Sequence, residues 1–211
     1  MIIRTLKKKT KLKVIISIHR AGLDKTITRN RFIQTVFLRL LSAPDKIVFL
    51  SEKTRCEFVD RGIDKGKTCY LTNFHTYAGR SVFKMEMHNP IRLLFVGFLN
   101  REKGIYELAL SMQELPENVH LDVCGTSKGD LAADFEELCL TLGSRIQRHG
   151  YVEGKEKDKL FRDADIFVLP SYGEGLPLVL LEALHYGLPI ITTPVGAIPE
   201  VLTEGENALF I

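Results

Sequence analysis

Two glutamates eight residues apart, Glu174 and Glu182, stand in the run LPSYGEGLPLVLLEA from Leu169 to Ala183. Gly173 and Gly175 bracket the first carboxylate, and glycines in such a turn let backbone approach a ligand closely. Pro177 suits a first-turn helical position, so a helix is expected over Leu178 to Tyr186. The exposed N–H groups of that helix start, with its positive dipole end, make a phosphate site around Gly175, Leu176 and Pro177. Glu182 falls roughly 7 Å beyond Pro177 at 1.5 Å per residue, so one ligand could touch both carboxylates. A sugar nucleotide suits the arrangement, with hexose hydroxyls at Glu174, diphosphate at the helix start and ribose hydroxyls at Glu182. A plainer reading stays open, in which Glu174 is a solvated acid favoured near a helix start and Glu182 pairs with His185 or a nearby lysine.

Other residues could complete such a site. The apolar run from Ile91 leads into Gly97-Phe98-Leu99-Asn100-Arg101-Glu102-Lys103-Gly104, where glycines admit a diphosphate and Lys103 supplies a point charge. Arg101 is either a second cation for the phosphates or a solvated loop residue. Gly125, in Cys124-Gly125-Thr126-Ser127, and the segment Gly150-Tyr151-Val152 each follow an expected strand. Tyr151 could stack on a ring, although covering core is the safer expectation. His19 closes an expected strand from Lys13 to Ile18, a position where a lone histidine is usually structural or solvated.

Strands and helices alternate after residue 90. Expected elements are Ile91 to Leu99, Gly104 to Leu115, Val119 to Cys124, Asp130 to Leu142, Ile146 to Val152, Lys155 to Ala164, Ile166 to Leu169, the Glu182 helix and Pro189 to Thr193. Continuous apolar strands in a β-α rhythm predict an α/β fold with a doubly wound parallel sheet. Ligands of such sheets lie at the carboxyl ends of the strands, where all these segments fall. The first half is less regular, with strands expected at Lys13 to Ile18, Lys46 to Leu50 and Thr68 to Asn73, and helices at Arg31 to Leu41 and Glu52 to Arg61. Two domains are expected, residues 1–90 and 91–211, with the low-information stretch Thr76 to Pro90 as the crossover.

Charge divides at the same place. Residues 1–90 hold 19 Lys and Arg against 7 Asp and Glu, a balance of +12, whereas residues 91–211 hold 10 against 19, a balance of −9. A basic half of this kind suits an anionic membrane surface or a phosphate-bearing acceptor as well as a plainly solvated face. The cluster Lys7, Lys8, Lys9, Lys11 and Lys13 lacks aromatic interleaving and any nucleic-acid motif, so nucleic acid is not an expected partner. A 45% hydrophobic, 26% charged composition is that of a globular protein. The apolar run Val14 to Ile18 is too short to span a membrane or to form a signal-peptide core, so the cytoplasm, with access to the inner membrane face, is the expected location. Cys56, Cys69, Cys124 and Cys139 show no metal-ligand spacing and are expected to be reduced and mostly packed.

The run Glu174-Gly175-Leu176-Pro177 through Glu182-Ala183, then Gly187-Leu188-Pro189 and Val195-Gly196-Ala197-Ile198-Pro199-Glu200, resembles the E-x7-E region of retaining family 4 glycosyltransferases. The likeness extends from about Val14 to Ile211. It implies a GT-B-like fold, with a partial N-terminal domain and a Rossmann-like C-terminal domain that binds the donor. The resemblance also implies roles: Glu174 at the donor sugar, Glu182 on the ribose, Lys103 on the diphosphate and His19 facing the reaction centre from the acceptor side. Gly125 and its neighbours would lie near the phosphates, and Tyr151 and Val152 near the base. Phe98 replaces the family's usual arginine after Gly97, which leaves Arg101 as its substitute.

The activity implied is transfer of a hexose from a nucleoside diphosphate sugar to a hydroxyl acceptor with retention. The acceptor would be a saccharide or a lipid-linked saccharide, in bacterial surface polysaccharide or glycoconjugate synthesis. No cofactor or metal is expected, since basic residues and helix starts stabilise the departing diphosphate. Family members normally carry strand-helix units ahead of the Lys13 strand and closing helices after the last one. The chain is therefore expected to hold the middle and donor-binding parts of a longer enzyme. Two alternatives are a nucleotide-sugar epimerase of the same architecture and a non-catalytic remnant that binds a nucleotide sugar or a partner subunit.

Overall fold

The computed structural model describes residues 13–19, 31–74, 86–127 and 132–211. Lys7, Lys8, Lys9 and Lys11, the loop from Arg20 to Gly22, most of the expected crossover, and Asp130 lie outside the described residues. Contacts group the chain into two compact units, one of Met1–Asn73 with Gly173–Leu176 and Val195–Val201, the other of Phe74–Tyr172 with Pro177–Pro194 and Leu202–Ile211.

The first unit carries three parallel strands in chain order, β1 (Ile15–Ile18), β2 (Lys46–Phe49) and β3 (Thr68–Tyr70). Helix α1 (Arg31–Leu41) joins β1 to β2, and α2 (Glu52–Asp60) follows β2. Ile18, Leu41, Ile47, Phe49, Phe58 and Ile63 form the core, with Phe37 and Leu38 of α1 packed on it. The Ser51 side chain caps α2 by accepting from the Thr54 N–H at 3.0 Å. Two strands are shorter than the sequence suggests, starting at Ile15 and ending at Tyr70 rather than at Lys13 and Asn73. Helix α1 has the expected bounds but carries a second apolar face, because Phe32, Ile33, Val36 and Leu40 are exposed.

The second unit is built on six parallel strands: β4 (Ile91–Val96), β5 (Val119–Cys124), β6 (Ile146–Gly150), β7 (Ile166–Leu169), β8 (Ile190–Thr192) and β9 (Ala208–Phe210). Helices α3 (Ile105–Ser111), α4 (Ala132–Leu142), α5 (Gly154–Asp163) and α6 (Leu178–His185) alternate with them. An apolar run such as Leu93 to Val96 in β4 demands burial on both faces, and Leu94, Phe95 and Phe167 are fully inside. Each buried phenylalanine is worth about 1.5–3 kcal/mol relative to exposure. Phe135, Leu138 and Leu142 form the buried stripe of α4 at three- and four-residue spacing.

The strand order is β6-β5-β4-β7-β8-β9. The chain begins at the centre of the sheet, moves outward to β6, then returns to continue on the other side of β4. This reversal is the topological switch point of a doubly wound sheet, and it lies between β4 and β7. At the amino-terminal edge, buried Asp165 accepts from the backbone N–H of His88 (3.0 Å) and of Arg92 (2.8 Å). Buried Asp122 accepts from Arg92 Nη2 at 2.8 Å and lies 2.6 Å from His149 Nε2. Paired in this way, the two carboxylates fix the strand starts without leaving a lone buried charge. Two parallel sheets flanked by helices make this an α/β protein, as its sequence rhythm predicts.

Candidate functional site

At the carboxyl ends of the strands the second unit joins four loops backbone to backbone. The Gly125 N–H donates to the Gly150 carbonyl at 2.7 Å, the Gly97 N–H to the Cys124 carbonyl at 3.0 Å and the Leu99 N–H to the Thr126 carbonyl at 3.0 Å. Gly125 holds φ 144°, and a Cβ there would come 1.8 Å from the Gly97 carbonyl oxygen, so no side chain fits. Past Leu99 the chain makes a single 3-10 turn, Arg101–Lys103, whose Asn100 cap accepts from the Lys103 N–H at 3.0 Å. Gly104 then takes the left-handed conformation at φ 68° and opens α3. A Cβ on Gly104 would lie 2.1 Å from the Pro170 carbonyl oxygen, and the Tyr172 N–H donates to the Glu102 carbonyl at 2.8 Å. The loops that flank the switch point therefore touch.

Helix α6 follows β7 in the chain. Pro177 (φ −69°, ψ 128°) is its N-cap and provides no side-chain hydrogen bond to the first turn. Orphan N–H groups at such a start favour an anion. Glu182, inside the helix, is only 8% exposed. Its Oε2 lies 2.6 Å from Nζ of Lys157 on α5, and that ammonium also sits 5.9 Å from the centre of the Phe161 ring. The predicted carboxylate is thus buried and ion-paired to a lysine of another helix.

The remaining second-unit candidates divide. Lys103 is half-buried in the capped turn, and Val152 is buried. Arg101 points outward, its guanidinium 3.2 Å from Asp134 and over the Tyr106 ring at 5.5 Å, an arrangement that matches the solvated alternative. Tyr151 overturns the expectation of core: it is 72% exposed, and its hydroxyl donates to Glu153 at 2.9 Å. That bond and the nearby Glu153 charge raise the phenol above its ordinary value. Phe98, at the position of the family arginine, is exposed as well.

Glu174, Gly175, Leu176 and His19 group within the first unit. Glu174 is buried at 7% exposure, which replaces the picture of a solvated loop acid. The turn behind it is fixed by backbone on several sides. A Cβ on Gly175 would meet the His19 carbonyl oxygen at 1.9 Å, and one on Gly196 would meet the Glu174 carbonyl oxygen at 2.2 Å. The Ala197 N–H donates to the Gly175 carbonyl at 2.8 Å, and Asn73 Nδ2 to the Leu176 carbonyl at 2.6 Å. His19 is exposed. Segment 195–201 is anchored in turn by Glu200. Its carboxylate accepts from Ser51 Oγ at 2.5 Å, from the Glu52 N–H at 2.9 Å and from the Lys53 N–H at 3.2 Å, at the positive end of α2.

Sequence reasoning assigned no role to Lys157, Glu200, Asn100 or Asn73. Asn100 could have been found, since Asn three residues before Lys103 is a cap pattern. The other three act across long sequence separations, which leave no local signal. The thiols are all free, with Cys124 buried but Cys56 and Cys69 exposed, so mostly packed cysteines is corrected to half. Burial pushes the Cys124 thiol up to about 12. Among the described residues no helix is long and apolar enough to cross a membrane.

A doubly wound parallel sheet with glycine loops stitched together at the carboxyl ends of its strands defines the class as a doubly wound α/β protein. Comparison with known families narrows that class: residues 90–211 match the family described as glycosyl transferases group 1, and the chain belongs to it. An uncharacterized glycosyltransferase of Methanocaldococcus jannaschii, MJ1607, is 33% identical over 121 residues, covering 56% of this chain and 31% of that protein. An uncharacterized 41.2 kDa protein in the cps region of Klebsiella pneumoniae is 27% identical over 165 residues, covering 72% of this chain and 44% of that one. Among solved structures, Anabaena HepE in complex with UDP superposes with a TM-score of 0.75 at 14% identity, covering 99% of this chain and 60% of HepE. The chain thus spans less than half the length of those two curated relatives. The family is one of retaining nucleotide-sugar glycosyltransferases, and the fold is GT-B-like.

Proposed function

We propose that the chain supplies the donor-binding part of a retaining hexosyltransferase that uses a nucleoside diphosphate sugar and a hydroxyl acceptor. The observation that carries this reading is the meeting of the Gly97, Gly125 and Gly150 loops at the carboxyl ends of β4, β5 and β6, with the start of α6 and buried Glu182 in the same unit. Peptide N–H groups of the Gly97 loop and of the α6 start, with Lys103, hold the diphosphate. Glu182 accepts the ribose hydroxyls, and Val152 and Tyr151 lie toward the base. Glu174 acts on the hexose and His19 on the acceptor. In the reaction the bond from the anomeric carbon to the phosphate oxygen breaks. The acceptor oxygen bonds to that carbon from the same face, and its proton passes to the departing diphosphate.

HepE has been solved in complex with UDP-glucose, which supports a nucleotide sugar as the donor class. Likeness to a protein of a cps region supports a setting in bacterial surface polysaccharide or glycoconjugate synthesis. Residues 1–90 serve the acceptor side and 91–211 the donor side. Calorimetry with UDP, GDP and ADP and their hexose conjugates tests the reading, with Glu182→Ala beside the wild type. Binding of one nucleotide, weakened at least tenfold in the variant, is the expected result. A folded wild type that binds none of them overturns it.

A further inference from the structure

Lys157 belongs to no glycine loop and lies 25 residues from Glu182, yet its ammonium is 2.6 Å from the Glu182 carboxylate. Both side chains are largely shielded, at 24% and 11% exposure. Leu180 and Ala183 on α6 and Phe161 on α5 are all but inaccessible to solvent. A carboxylate in such surroundings is costly unless paired, and its two oxygens can accept from more than one neighbouring donor. The lysine stem is itself constrained, since its head also lies over the Phe161 ring. Phe161 in turn stacks on Tyr186 at 5.3 Å, and the Tyr186 hydroxyl donates to Asp158 at 2.8 Å. The α5–α6 contact therefore fixes the position of the positive charge. From there it acts on one acid of α6.

We propose that Lys157 is a positioning residue for the nucleotide ribose: it holds the Glu182 carboxylate in one orientation, so that the group can accept both vicinal hydroxyls. One carboxylate oxygen takes the lysine, and the remaining acceptor capacity of the group serves the ribose. The inference rests on the ribose role of Glu182. It adds that α5, which contributes no residue to the glycine loops, sets the affinity of that subsite.

The test measures dissociation constants of the tightest-binding nucleotide among UDP, GDP and ADP, and of its 2′,3′-dideoxy analogue. Wild type, Lys157→Met, Lys157→Arg, Glu182→Gln and the Met/Gln double variant are compared by calorimetry on the full chain. Lys157→Met is expected to weaken the ribonucleotide about tenfold and to leave the dideoxy analogue within twofold. Lys157→Arg retains most of the affinity. The double variant is no weaker than Glu182→Gln alone, because the two residues act as one unit. A loss with Glu182→Gln but none with Lys157→Met overturns the positioning role and leaves the ribose reading standing. No loss with Glu182→Gln removes the ribose reading itself. Equal loss for both nucleotides in Lys157→Met also overturns the inference, since the lysine would then act on the phosphates or on folding. Should Lys157→Met fail to fold, full affinity in Lys157→Gln overturns it equally.

Discussion

Gly125→Ala is the most direct perturbation of the loop cluster. The added Cβ would sit 1.8 Å from the Gly97 carbonyl oxygen, about 1.6 Å short of the 3.4 Å at which ordinary contact begins. The obstacle is backbone, so no side-chain rotation relieves it. Either the Gly97 loop or the start of the Gly125 loop must retreat by an ångström or more, breaking the Gly125 to Gly150 bond at 2.7 Å or the Gly97 to Cys124 bond at 3.0 Å. Holding a non-glycine residue at φ 144° adds about 1–3 kcal/mol of strain. Loss of one or two charge-assisted N–H contacts to a diphosphate costs a further ~2–3 kcal/mol, about a 30- to 150-fold rise in dissociation constant. Calorimetry with the tightest-binding nucleoside diphosphate reads this. Gly205→Ala is the control, since Gly205 also has positive φ (76°) but open space around its Cβ position, and its binding should be unchanged. Nucleotide affinity in Gly125→Ala within twofold of wild type would refute the reasoning.

Glu200→Ala should remove the acceptor for the Glu52 and Lys53 N–H groups, worth about 2 kcal/mol in all, and speed their hydrogen exchange by roughly thirtyfold. The Arg55 N–H, bonded to the Ser51 carbonyl at 3.0 Å, is the internal control, and unchanged exchange at both Glu52 and Lys53 would contradict the capping role. Alkylation of the native protein at pH 8 should modify Cys56 and Cys69 and spare Cys124 until denaturant is added, as mass mapping will show. The Cys124 thiol lies above its unfolded value of about 8.5, so the stability it confers is complete below that pH and is lost as pH climbs toward 12. Urea midpoints should therefore fall above pH 9 in the wild type, and less steeply in Cys124→Ala.

What the sequence made legible was local. Ile91–Val96 could be read as a central strand because Leu93 to Val96, four apolar residues in succession, have no solvent face to offer, and the glycines after it mark where the backbone crowds. Glu182 could be placed on its helix by counting from Pro177. Helix α1 could be bounded but not oriented: it has apolar residues on both sides, so periodicity alone could not tell that Phe37 and Leu41 face the core while Phe32 and Leu40 face out. Tyr151 was misread for a related reason, because a ring beside Gly150 looks like core cover when only composition is weighed, whereas its hydroxyl is held outward by Glu153. Pairings between distant elements had no such trace. The lysine that meets Glu182 is one of three in Lys155-Glu156-Lys157-Asp158-Lys159, and only the packing of Phe161 against Phe167 and Tyr186 decides which of them turns inward. Glycine spacing can thus be read for where backbones approach closely, but the charge balance around a buried acid depends on which helix face the core selects. Substitutions at Lys157 are therefore the sharper probe of this site, since their effect depends on packing that no motif encodes.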